Sequence, residues 1–140
     1  MTLRRLLSMG LIGSLLILLG CAAPRLEDAE KQKWEEATRA AAATVLPEDT
    51  LEVGYWVDGG LSEMRYMHVK ATVEADSTEE LIRLADLVEA AVAPAVVGLP
   101  VKSAGLQIDL AGDASPRPHI MRTVLLDDLA TRYGLPRGNP

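Results

Sequence analysis

Two segments, "LEVGYWVD" at residues 51–58 and "YMHVKATVEA" at residues 66–75, constrain the fold most, because both alternate apolar and polar residues at the period of a strand. In the first, Leu51, Val53, Tyr55 and Val57 share one face, and Glu52, Gly54, Trp56 and Asp58 share the other. In the second, Met67, Val69, Ala71, Val73 and Ala75 point one way, and Tyr66, His68, Lys70, Thr72 and Glu74 point the other. Gly59 and Gly60 lie between them and permit a turn, so the spacing predicts an antiparallel hairpin with a somewhat long loop. A sheet with one apolar face must bury that face against another layer.

The flanking sequence supplies the layer. Residues 25–46 are rich in helix formers, with acidic residues near the start and Pro47 just past the end. Their apolar stripe is shallow: Leu26, Ala29, Lys33, Trp34, Ala37, Ala40 and Ala41, with the first turns expected to project from the domain. After the hairpin, Ser77 and Glu80 have capping-box spacing and predict a helix start. Leu81, Ile82, Ala85, Val88 and Val92 then recur at helical spacing, Glu79, Arg83, Asp86 and Glu89 take the wet side, and Pro94 and Gly98 end or kink the helix. "AGLQIDLAG" predicts a third strand, with Leu106, Ile108 and Leu110 inward and Gln107 and Asp109 outward. "TVLLDDLATRYG" predicts a closing helix with Leu125, Leu129 and Tyr133 on one face and Gly134 as C-cap.

The expected fold is therefore an α+β two-layer sandwich of order α-β-β-α-β-α, with a three-stranded, mainly antiparallel sheet and the helices on its apolar face. One domain spans 25–135, and the turn-like end at 136–140 is expected to fray. Val53, Val69, Val88 and Ile108 should share one core. With a single cysteine, Cys21, no disulfide can form within the chain, so stability must come from that core.

Cys21 closes a segment of another kind. Arg4 and Arg5 precede an apolar run from Leu6 to Leu19 of about 14 residues, against the about 20 needed to cross a bilayer. Leu18, Leu19, Gly20 and Cys21 then resemble the lipobox of bacterial lipoprotein precursors. The resemblance covers the first twenty-one residues. It implies a diacylglycerol on the Cys21 thiol, cleavage by signal peptidase II between Gly20 and Cys21, loss of residues 1–20, and a lipidated spacer at 21–24. The implied partner is a membrane, with the domain on its extracytoplasmic side. Ala22 stands where an inner-membrane retention signal would place Asp, which implies the outer membrane in an enterobacterial-type diderm and the cell membrane in a monoderm or actinobacterium.

Removing Arg4 and Arg5 takes the formal charge from −6 to −8. Such a surface repels phosphate backbones, so nucleic acid is not expected as a partner. The α-β-β-α-β part of the order is similar to that of the BON domain, a small periplasmic module of bacteria associated with phospholipid membranes. The chain departs from that family's second-strand pattern, since "VKATV" at 69–73 lacks its glycine.

Signals for chemistry are sparse. His68 falls mid-strand and His119 in the proline-rich "SPRPHI", read as a loop. A catalytic zinc usually takes three protein ligands, so no metal site or cofactor is expected. No G-x-S-x-G elbow is present; Ser77 reads as a cap, and Ser62, Ser103 and Ser115 as loop residues. The neighbouring acids Glu35 with Glu36 and Asp127 with Asp128 read as solvated faces or helix starts.

One pattern stands out. Trp56, Tyr66 and His68 occupy the outward phase of the hairpin, where a solvated sheet usually carries Thr, Lys and Glu. Either the first or the closing helix folds over them, or they form a surface for a protein or lipid partner in the envelope. The reading of the whole is a non-enzymatic cell-envelope lipoprotein with a binding or structural module, its oligomeric state left open. The alternatives are a small envelope hydrolase using His68 with a nearby acid, and a BON-like membrane-surface module.

Overall fold

The structure is a computed structural model and describes residues 26–61 and 63–138. The segment expected to be a signal peptide, with Gly20 and Cys21, the expected spacer at 21–24, Arg25, Ser62 and the last two residues lie outside the described residues. The elements run α1 (Asp28–Ala42), β1 (Glu52–Val57), β2 (Arg65–Val73), α2 (Thr78–Val96), β3 (Ala104–Gly112), β4 (His119–Leu125) and α3 (Leu126–Tyr133). They form an α+β domain around a four-stranded sheet of order β1-β2-β3-β4.

The hairpin forms as the alternation predicts: β1 pairs antiparallel with β2, setting Val53 against Val69 and Trp56 against Tyr66. The chain then crosses through α2, so that β3 lies parallel to β2, with His68 beside Gln107 and Val69 beside Ile108. A parallel return needs a crossover of this kind, because a tight turn can only reverse a strand. β4 pairs antiparallel with β3, setting Asp109 against Met121.

All three helices contribute to one core. Met67, Val69, Leu81, Val88, Val92, Leu106, Ile108, Leu110, Leu126 and Leu129 are buried in it, with Val53 and Tyr55 packed at its margin. Full burial of a Leu or Ile side chain contributes about 1.5 to 3 kcal/mol, so these residues dominate stability. Trp34 lies across Gly98, where an added Cβ would meet the indole at 3.1 Å, and this holds α1 against the end of α2.

The capping signals hold as well. Ser77 Oγ accepts from Glu80 N at 3.3 Å, and Glu80 accepts in return from Asp76 N at 2.8 Å. Gly134 closes α3 in the left-handed conformation, at φ 62°.

Several expectations are corrected. The sheet has four strands, not three, because residues 119–125 form a strand. The inward phase of β4 is Ile120, Arg122 and Val124, and its outward phase includes Met121 and Leu125, so a charge inside and apolar groups outside disguise the alternation. His119 is thus a strand residue, and the closing helix begins at Leu126, with Leu125 exposed and Leu126, Leu129 and Ala130 buried.

Glu89, assigned to the wet side of α2, is buried, whereas Ile82, assigned to the core, is exposed. Glu89 accepts hydrogen bonds from Arg122, Arg132 and Tyr133, and Asp86 takes a second one from Arg122. Burial works against the Arg122 charge, but Asp86 and Glu89 outweigh it and raise the guanidinium above its usual range. Burial, followed by the Glu89 charge, also pushes the Tyr133 phenol up, against a smaller pull from Arg132. This cluster ties α2, β4 and α3 together.

On α1 the buried positions are Thr38 and Ala42, with Trp34 and Ala41 partly covered and Leu26 buried just before the helix; Ala29, Lys33, Ala37 and Ala40 face solvent. The expected stripe is therefore rotated, and the helix entry at Leu26 is packed rather than projecting. The tail is not frayed over 136–138. Arg137 donates to the carbonyls of Val97, Leu99 and Val101 and to Asp127, and Gly138 N donates to Val97 O at 2.8 Å.

Candidate functional site

The helices lie against the inward residues, and the opposite face of the sheet is open. Trp56 is 61 % exposed there, so neither α1 nor α3 covers it. Tyr66 and His68 are half-buried on the neighbouring strand of the same face, as their phase requires.

Two glycines hold this arrangement. A Cβ on Gly54 would lie 2.9 Å from the Trp56 indole nitrogen, so the ring lies back over the bare backbone of its own strand. A Cβ on Gly105 would meet the Tyr66 ring at 3.3 Å, so that ring leans over β3. Such rings shield backbone that would otherwise be weakened by the missing side chain. His68, which pairs with Gly54, meets Trp56 edge-on, with centroids 5.8 Å apart and planes at 88°.

The sheet register adds two residues that the linear sequence did not connect with His68. Asp109 sits diagonally across on β3, and His119 diagonally across again on β4. His119 Nε2 lies 2.7 Å from Asp109 Oδ1, and His68 Nε2 lies 3.8 Å from Asp109 Oδ2. His68 Nε2 is buried and without a hydrogen-bond partner among the described residues.

His68 and His119, read as a mid-strand residue and a loop residue, are thus brought close, with one carboxylate between them. They approach opposite oxygens, which is a row rather than a coordination shell, and no group of metal-ligating side chains suited to an ion occurs among the described residues. The signal that could have found the row is the outward phase of 68 and 109; the missing step was the unrecognised strand carrying His119.

Beside the row lies a shallow hollow of about 430 Å³, lined by Thr50, Lys70, Thr72, Asp109, Arg117 and His119 among others. Arg117 is fixed in it, donating to Gly112 O and to Thr72 Oγ1, each at 2.9 Å. Lys70 stands 4.0 Å from Glu52. On the β4 side the face turns apolar, with exposed Met121 and Leu125. The whole is a platform: an aromatic end on β1 and β2, a His-Asp-His row across the middle, and an apolar margin on β4. Such a surface offers contact area and hydrogen bonds together.

No family model, no curated protein and no solved structure matches the chain. Among the described residues, no helix is long and apolar enough to cross a membrane.

Proposed function

We propose that the chain is a membrane-tethered envelope lipoprotein whose domain recognises another envelope component through the open face of its sheet. The observation that carries the recognition reading is Trp56, held in solvent over Gly54 and against His68 while the opposite face of the same sheet packs against the helices. Large exposed aromatic groups are the usual anchors of interfaces. The tether rests on the lipobox residues Leu18 to Cys21 and on the short apolar run before them.

The test has two arms. Cys21→Ala should abolish lipid labelling and processing, and a variant that keeps its mature size and stays in carbonate-washed membranes would refute the tether. A photoreactive residue at position 56 should crosslink one discrete envelope component in cells, whereas the same residue at Leu87, exposed on α2, should not. Equal adducts from both positions, or none from 56, would remove the recognition surface.

The His119–Asp109 contact favours a second reading, acid-base hydrolysis in the hollow beside Arg117 and Lys70. Turnover of ester or phosphodiester probes that disappears in both His119→Ala and Asp109→Asn would support it over recognition.

A further inference from the structure

The two edges of the sheet are finished differently. In β1 the backbone groups of Val53, Tyr55 and Val57 face away from β2, because Asp58 N bonds to Met64 O and the antiparallel ladder alternates from there. α1 covers part of that edge: Glu35 accepts from Tyr55 N at 2.8 Å, and Arg39 donates to Leu51 O at 2.9 Å.

The same counting applies to β4. Gly112 N bonds to Pro118 O, so Ile120, Arg122 and Val124 bond to β3, while the N–H and C=O groups of His119, Met121 and Thr123 face outward. No hydrogen bond among the described residues meets these outward groups. An edge of this kind is a template for another strand unless a charge, a proline or a cover protects it. The only full charge on β4 is Arg122, and it is turned inward onto Asp86 and Glu89.

We propose that β4 is the dimerisation edge of this protein, pairing antiparallel with β4 of a second copy to give one continuous sheet. The occupant is a second copy because the strand is self-complementary about a two-fold axis at Met121. Met121 then meets its own symmetry mate, His119 meets Thr123, and Ile120 meets Arg122. No like charges oppose each other in that register, since Arg122 is already neutralised within its own protomer. Apolar groups flank the seam on both sides of the sheet. Met121 is 57 % exposed on the open face, and Ile82, one turn before Asp86 on α2, is 43 % exposed on the other. The dimer would set two open faces side by side, doubling the platform. It stands independently of what that platform binds.

The test uses the full chain with Cys21→Ser, so that an introduced thiol is the only one. Met121→Cys should oxidise to a covalent dimer, because directly paired strand residues lie within disulfide reach, while Glu52→Cys on the covered edge should not. Thr123→Pro removes an outward N–H without touching the β3 ladder, and Met121→Lys sets two cations face to face. By sedimentation the parent should be a dimer, and each of these two variants should weaken its association at least tenfold with an unchanged circular dichroism spectrum. Should the proline variant fail to fold, the lysine variant decides. A monomeric parent, a dimer indifferent to Met121→Lys, or equal crosslinking from both edges would overturn the proposal, as would a β4 edge that takes only an unrelated extended peptide.

Discussion

On the helix side of the sheet, Val69, Leu106, Ile108 and Leu110 are fully buried, whereas on the other side Trp56 and Met121 keep more than half of their surface in solvent. Both faces are built by the same four strands from alternate residues. The difference lies in what supports the large side chains. On the buried face they are held by other side chains from three helices, so a substitution there acts on folding. On the open face they are held by bare backbone at Gly54 and Gly105 and by one carboxylate, Asp109, so a substitution there acts on what the face can touch.

The largest break in this comparison is Val69→Asp. An unpaired carboxylate in the core costs several kcal/mol, comparable with the whole stability of a small domain. The variant should be unfolded or insoluble, as judged by circular dichroism, and a normally folded protein would reverse the assignment of the two faces.

Next in size is Glu89→Ala. It removes the acceptor shared by Arg122, Arg132 and Tyr133, and should cost about 1 to 3 kcal/mol in denaturant unfolding. The loss stays below that of a fully buried ion pair because both arginines keep contact with water.

A smaller effect is tied to pH. The Tyr133 phenol titrates above its ordinary 10.0 in the folded chain, so its contribution is intact below that value and is lost as the pH rises through the higher, folded-state value. Tyr133→Phe should flatten the alkaline fall of melting temperature. An identical alkaline limb would separate this hydroxyl from the cluster.

These cases also mark where the sequence is legible. The hairpin, α2 and β3 follow their periodicities, since each places apolar residues inward at every second or every third to fourth position. The phase that sets Trp56, Tyr66 and His68 on one face follows from the same counting. What hides from it is the charged cluster: Arg122 and Glu89 are inward because they satisfy each other across elements far apart in sequence, and a pattern of apolar residues cannot register a buried pair. With β4 obscured, His119 reads as loop, and the row it completes with Asp109 and His68 stays invisible. The docked tail escapes for a related reason, as Arg137 is anchored by three carbonyls between α2 and β3 that a linear reading does not connect with it.

The smallest effect on folding should come from the residue on which the functional reading depends. The decisive measurement is therefore Trp56→Ala, followed in parallel by melting temperature and by capture of the component crosslinked from the open face. A ring mostly in solvent leaves little core contact to lose, so the melting temperature should stay within a few degrees of the parent. Capture should weaken by roughly 2 kcal/mol, the scale of an aromatic anchor at an interface. A variant that loses about 3 to 5 kcal/mol of stability while capture is unchanged would make Trp56 a core residue and contradict the account.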